Sequence, residues 1–162
     1  MMAGVSLKIL KLVTAAAIGL MIAFAGSPVT GRSGSGPDDP KTLFFDDFGG
    51  KMLDRSKWTV RISGPIYNNE QQAYVDSPDT IFIAHEKDAV GAENGALVIQ
   101  PRFRPGFVTP QGKHFDFTSG RIDTQKKMEF TYGTASARIK MPSASGLWPA
   151  FWALGGGRWP DT

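Results

Sequence analysis

Residues 134–141 alternate strictly. Ala135, Ala137, Ile139 and Met141 fall on one face of an extended chain, and Thr134, Ser136, Arg138 and Lys140 on the other. This is the pattern of a strand with one buried face, because successive Cβ atoms point to opposite sides of a sheet. Pro142 and the Ser-Ala-Ser-Gly stretch after it end the run. The next run carries Trp148, Ala150, Trp152 and Leu154 on one face and Phe151 and Ala153 on the other. Both faces are apolar, so it reads as a strand covered on both sides. Pro149 has no N–H for a ladder, which puts it near that strand's start or at an edge. Upstream, Thr80-Ile-Phe-Ile-Ala84 and Ala96-Leu-Val-Ile-Gln100 are two further β-type runs. Between them lies Gly91-Ala-Glu-Asn-Gly95, and Asn-Gly is a strong turn signal. Nothing after Thr42 has a convincing helical period. Many short strands with few helices predict an antiparallel sandwich or barrel.

The N-terminus reads differently. Lys8 and Lys11 form a short basic region, and residues 12–25 are almost wholly apolar. Ala23-Phe24-Ala25 has the small-x-small pattern of a signal-peptidase site. A membrane span needs about 20 apolar residues, and this run has 14. Residues 1–25 are therefore expected to be an export signal, with an uncleaved anchor as the alternative. The expected location is secreted, extracellular or periplasmic. Residues 26–41, rich in Gly, Ser, Pro and Asp, read as a flexible linker, and residues 42–162 as the domain. Sandwiches and barrels often run roughly 200–250 residues, and this stretch is shorter.

Composition removes several classes. The chain has no Cys, so a lipidated Cys, a disulfide framework, a zinc–thiolate site and a Cys nucleophile are all excluded. Loss of residues 1–25 would take Lys8 and Lys11 from a formal net charge of only +3. No basic stripe with interleaved aromatics is evident, so nucleic acid is not an expected partner. A monomer is expected, with membrane contact only through an uncleaved signal.

Candidate chemistry is sparse. His85 and His114 lack partners at metal-ligand spacing, and no Ser sits in a Gly-x-Ser-x-Gly elbow. Gly155-Gly156-Gly157 follows a strand and meets Arg158-Trp159-Pro160, which reads as a surface loop rather than a phosphate cradle. Glycoside hydrolysis needs two carboxyl groups flanking the scissile bond. Glu86 and Asp88 have same-face spacing, but Lys87 and turn-like neighbours make them a solvated turn. Asp46 and Asp47 are adjacent, so in a strand they face opposite ways. Asp76 and Asp79 flank Pro78 as turn residues. None is a convincing catalytic pair. Trp58, Trp148, Trp152 and Trp159 could stack on sugar rings, although composition alone favours core packing. Asn68, Asn69, Glu70 and Gln72, beside Tyr67 and Tyr74, could hydrogen-bond sugar hydroxyls or simply form a polar loop.

An ordered series of blocks carries a family resemblance. It begins with Phe45-Asp-Asp-Phe48, followed by Asp54 and Trp58. Tyr67-Asn-Asn-Glu-Gln-Gln-Ala-Tyr74 and Asn94-Gly-Ala-Leu-Val-Ile99 come next. Thr118-Ser-Gly-Arg-Ile122, Tyr132-Gly133 and Ala137-Arg-Ile-Lys-Met-Pro142 follow in order, and Gly146-Leu-Trp-Pro-Ala-Phe-Trp152 completes the set. The series resembles glycoside hydrolase family 16, the laminarinase and lichenase family.

The resemblance implies a concanavalin A-like β-jelly-roll sandwich of antiparallel sheets, incomplete in this chain, with a sugar cleft on the concave face. It implies retaining endo-hydrolysis of β-glucan of the β-1,3 or β-1,3-1,4 type. Carried over by motif, Asn69 and Glu70 lie at the non-reducing side of the cleft. Arg121 hydrogen-bonds a sugar, and Trp148 and Trp152 line or underlie the subsites near the scissile bond. Phe45 and Phe48 are expected in the core. No catalytic residue is expected within the chain. The family's Gly-Glu-x-Asp-x-(x)-Glu, with nucleophile, tuning Asp and acid/base, would begin just beyond Thr162. No cofactor is required. A structural Ca²⁺ is possible in the full-length domain, held partly by backbone near the first strand. The alternative is a non-catalytic β-glucan-binding module on the same fold.

Overall fold

The computed structural model describes residues 42–62 and 68–155 with their side chains, and residues 5–9 as backbone. The rest of the expected leader, the linker 26–41, Tyr67 and Trp159 lie outside the described residues.

The described elements are almost all strands. A five-stranded antiparallel sheet contains β1 (Val5–Ile9), β2 (Thr59–Val60), β8 (Ile122–Asp123), β9 (Glu129–Phe130) and β10 (Phe151–Gly155). A second sheet has the order β3 (Gln72–Tyr74), β7 (His114–Ser119), β6 (Arg102–Val108). There β3 and β7 pair in parallel and β6 and β7 antiparallel. The third sheet is the antiparallel hairpin β4 (Ile81–Ala84) and β5 (Ala96–Ile99). The architecture is all-β and largely antiparallel, in keeping with a jelly-roll sandwich, and its sheets are open rather than closed.

The core follows from the short apolar runs. Leu53, Trp58, Ile81, Leu97, Ile99 and Ile122 form one buried cluster, flanked by Phe44, Phe48, Val60, Ile83 and Phe151. It joins the β4–β5 hairpin to the five-stranded sheet. Val98, one residue out of phase, packs with Ala84 and Ala89 in a second cluster. Strand β5 is thus covered on both faces, which explains its unbroken Ala-Leu-Val-Ile run. Phe48 joins this core as expected. Phe45 does not, at 37 % exposed, because its neighbour Phe44 takes the inward position against Trp58.

Several expectations are corrected. The two upstream β-type runs form β4 and β5 and pair as a hairpin, but their connection is much longer than an Asn94-Gly95 turn. The connection contains a 3₁₀ turn at Glu86–Ala89, and the chain then meets the segment that holds Asp47. There Asn94 Nδ2 donates to Asp47 Oδ2 at 2.7 Å. A Cβ on Gly95 would collide with the Phe48 carbonyl oxygen, so close approach is what requires glycine. The alternating run 134–141 is not a strand in the structure. Ala135 and Ala137 are exposed, Ile139 is half-buried and Met141 is 56 % exposed. Alternation supplies an apolar face, but no described strand pairs with this one. Strand β10 does form, two residues after Pro149, yet Ala153 is exposed and its neighbours are half-buried, so it is not covered on both sides.

The β6–β7 hairpin has no clean sequence signature. Pro105-Gly106 interrupts β6, and the register shifts between Phe103 and Phe107. The irregularity is tolerable because β6 lies at the edge of its sheet. The Gly106 N–H donates to Asp116 Oδ1 across it at 3.1 Å.

Gly120 sits where β7 turns into β8, pressed against the hairpin. A Cβ there would collide with Cγ1 of Ile81 and come within 3.1 Å of Ile99 Cγ2. Gly120→Ala is expected to destabilise by about 1–3 kcal/mol through overpacking. Thermal unfolding of the variant checks this, and Gly155→Ala, where a Cβ meets nothing and the backbone is not left-handed, controls for the loss of glycine's freedom alone.

Candidate functional site

The site is assembled from β3, the β7–β8 junction and β10. Parallel pairing sets Tyr74 beside Ser119, two residues before Arg121. The Arg121 guanidinium carbon lies 5.6 Å from the Tyr74 ring centroid and 5.4 Å from that of Trp152. One cation thus faces two aromatic rings, each contact of the cation–π kind. Trp152 reaches this side because its neighbour Phe151 turns to the core.

Tyr74 is 8 % exposed, and Gln72 Nε2 lies 3.0 Å from its hydroxyl oxygen. Burial, reinforced by the nearby Glu70 carboxylate, pushes the Tyr74 phenol up to about 12. The unfolded phenol loses its proton near 10. Between those values the folded chain keeps a proton that the unfolded chain has lost. Stability from this group is therefore full below pH ~10 and falls as pH rises from ~10 to ~12. Tyr74→Phe is expected to flatten that part of the stability–pH curve, as measured by denaturant unfolding across the range.

Glu70 connects this cluster to an open depression of ≈ 460 Å³ lined by Asn69, Glu70, Gln71, His114, Asp116 and Phe117, among others. Asn68 and Asn69 both have φ of 54°, a left-handed conformation that asparagine accepts more readily than most residues. The turn is fixed by Gln71 Nε2 donating to the Asn69 carbonyl at 2.7 Å.

Of the five residues expected to meet substrate, the structure thus gathers Glu70, Arg121 and Trp152, with Asn69 at the rim of the depression. Trp148 stands apart, three residues ahead of β10 and 67 % exposed. Tyr74 was visible in the sequence as an aromatic beside a polar cluster, but its contact with Arg121 links positions 47 residues apart and had no local signal.

The remaining candidate groups have structural tasks. Trp58 is buried at 1 % exposure and donates Nε1–H to Asp46 Oδ2 at 2.7 Å. Asp47 turns the other way, to Asn94 and to the Gly49 N–H. The Gly49 and Asn94 hydrogen bonds hold the Asp47 carboxyl below the usual range. Glu86 and Asp88 lie exposed in the 3₁₀ turn. Among the described residues, no three His, Cys, Asp or Glu side chains converge. No Ca²⁺ ligand is assigned among them.

The strip thus sets aromatic, guanidinium, carboxylate and amide groups side by side on an open, largely antiparallel β scaffold. The sequence pattern of Glycosyl hydrolases family 16 matches residues 66–161. The chain is 29 % identical over 133 residues to a glucan endo-1,3-beta-glucosidase A1 of Niallia circulans, covering 73 % of this chain and 18 % of that protein. It is 31 % identical over 126 residues to an endo-1,3-1,4-beta-glycanase EglC of Rhizobium meliloti (strain 1021), covering 76 % and 27 %. To a beta-glucanase of Rhodothermus marinus it is 31 % identical over 121 residues, covering 71 % and 37 %. No solved structure matches. The chain belongs to glycosyl hydrolases family 16. It spans only 18–37 % of the length of these relatives.

Proposed function

We propose that the protein to which this chain belongs is a secreted endo-β-glucanase that hydrolyses β-1,3 or β-1,3-1,4 linkages with retention of configuration. The observation that carries this reading is the Arg121 guanidinium set against Tyr74 and Trp152, with Glu70 nearby. Pyranose rings offer apolar faces to an indole and hydroxyl groups to a guanidinium, a carboxylate and amides, and this strip supplies each kind. The relatives' names support β-glucan as the polymer.

In this reading the chain binds sugar but does not cleave it. Asp46, Asp47, Glu86 and Asp88 have the structural or solvated positions described above, and the reacting carboxylates are assigned to residues following Thr162. Protein carrying those residues should release short oligosaccharides from laminarin and none from agarose. Laminarin binding without product would favour the non-catalytic binding module. Activity on agarose alone would reject the β-glucan assignment.

A further inference from the structure

Strand β1 occupies a position one strand wide inside the five-stranded sheet. On one side it pairs along its whole length with β10, from Val5↔Gly155 to Ile9↔Phe151. On the other it pairs with β9, Val5↔Phe130 and Ser6↔Glu129, and with β8, Lys8↔Asp123 and Ile9↔Ile122. All these pairings are antiparallel.

The elements flanking that position, β9 and β10, are consecutive among the described elements, and between them lies the alternating run 134–141, which pairs with no described strand. A strand leaving β9 through a short turn runs antiparallel to it, and a second turn into β10 is antiparallel again. Residues 134–141 would thus travel in the same direction as β1, with antiparallel neighbours on both sides. Four loop residues, 131–134, would set residue 135 opposite Phe130, where Val5 now stands. Hairpin loops of four residues are common.

In that register the two segments match position by position. Val5-Ser6-Leu7-Lys8-Ile9 reads apolar, Ser, apolar, basic, Ile, and so does Ala135-Ser136-Ala137-Arg138-Ile139. Directly opposed residues share a face. Ala135, Ala137 and Ile139 would therefore fall on the face of Phe151, which packs on the Trp58 core. Arg138 would stand opposite Asp123, as Lys8 does now.

We propose that residues 5–9 are a mimic of residues 135–139, and that the two segments compete for this one place in the sheet. While the N-terminal segment holds it, residues 131–148 remain on the surface. Removal of the expected leader after Ala25 vacates the place, and residues 135–139 enter it and complete the hairpin with β10. The N-terminal segment thus keeps the sheet in an alternative pairing until it is removed.

The test compares the unaltered chain with Leu7→Pro, Ala137→Pro and the double variant, by hydrogen exchange of residues 135–139 and by denaturant unfolding. Proline inside a central strand removes ladder hydrogen bonds. In Leu7→Pro the amides of 135–139 should exchange about tenfold or more slowly than in the unaltered chain, as they gain ladder partners. Ala137→Pro alone should leave the unfolding midpoint unchanged, but should lower it clearly in the Leu7→Pro background. Unchanged exchange at 135–139 in Leu7→Pro would overturn the proposal. So would an Ala137→Pro loss of equal size in both backgrounds. If Leu7→Pro fails to fold while Ala137→Pro folds normally, residues 135–139 cannot take the place, and the proposal is again wrong.

Discussion

Trp58→Ala is expected to lower the unfolding free energy by about 3–5 kcal/mol. Trp58 is 1 % exposed and central to the main core cluster. Phe44 meets it edge-on at 5.2 Å and Phe48 stacks on it at 6.0 Å. Truncation leaves a cavity that both rings line. It also strips the Asp46 carboxylate of the indole N–H that it accepts at 2.7 Å. A domain of this size typically has about 5–15 kcal/mol in total, so the variant should be close to unfolding. Trp58→Phe keeps most of the ring volume and loses the N–H donor, and should cost about 1–3 kcal/mol. Urea unfolding of the pair separates cavity from hydrogen bond. A Trp58→Ala loss below 1 kcal/mol would contradict the assignment of this residue to the core rather than to sugar stacking.

Asp123→Ala is expected to cost a similar amount, about 3–5 kcal/mol, for an electrostatic reason. The Asp123 carboxylate is fully buried and accepts from Arg61 Nε at 2.5 Å and Nη2 at 3.1 Å, and from the Gln125 N–H at 3.0 Å. Removing it leaves the Arg61 guanidinium, itself 20 % exposed, without its anion in a low-dielectric setting. The Arg55–Asp76 pair is the internal control. It has comparable geometry at 2.7 Å, but its side chains are 53 % and 44 % exposed, so Asp76→Ala should cost only about 0–1 kcal/mol. Replacing Arg61 and Asp123 together by Met and Leu should recover much of the loss, because no buried charge is then left unpaired. Equal costs for Asp123→Ala and Asp76→Ala would show that burial does not set the strength of the first pair.

The parts of the fold legible in the sequence are those decided by local pattern. Strands β4 and β5 stand out because apolar β-branched runs are bounded by turn residues, and their burial then follows from their composition. The β6–β7 hairpin was not legible, because Pro105-Gly106 breaks the alternation that would have marked β6. The Arg61–Asp123 pair joins residues 62 apart, and such a contact exists only once β2 and β8 are aligned. Residues 134–141 give the opposite lesson. Their pattern is the clearest strand signature in the chain, yet a pattern specifies a face and not a partner. In this structure the place between β9 and β10 is filled by a segment with the same pattern.

The site was legible in part, and by a different route. The residues alone left Glu70 divided between a polar loop and a sugar contact, and favoured the core for Trp152. The family resemblance singled out Asn69, Glu70, Arg121, Trp148 and Trp152, and the structure draws Glu70, Arg121 and Trp152 toward Tyr74. Trp148 lies outside that cluster because the segment before β10 has no strand to hold it against the sheet.

The strip from Trp152 through Arg121 and Tyr74 to Glu70 is proposed to bind β-glucan. Calorimetric titration of the full chain with a soluble β-1,3-glucan oligosaccharide tests it most directly, alongside Trp152→Ala and Arg121→Met. Stacking and charged hydrogen bonds of this kind contribute roughly 1–3 kcal/mol each. Saturable binding by the chain is expected, weakened about tenfold or more in each variant, with melting of Trp152→Ala close to that of the parent because Trp152 is only half-buried. Binding of equal strength in all three proteins, or none in the folded chain, would contradict it.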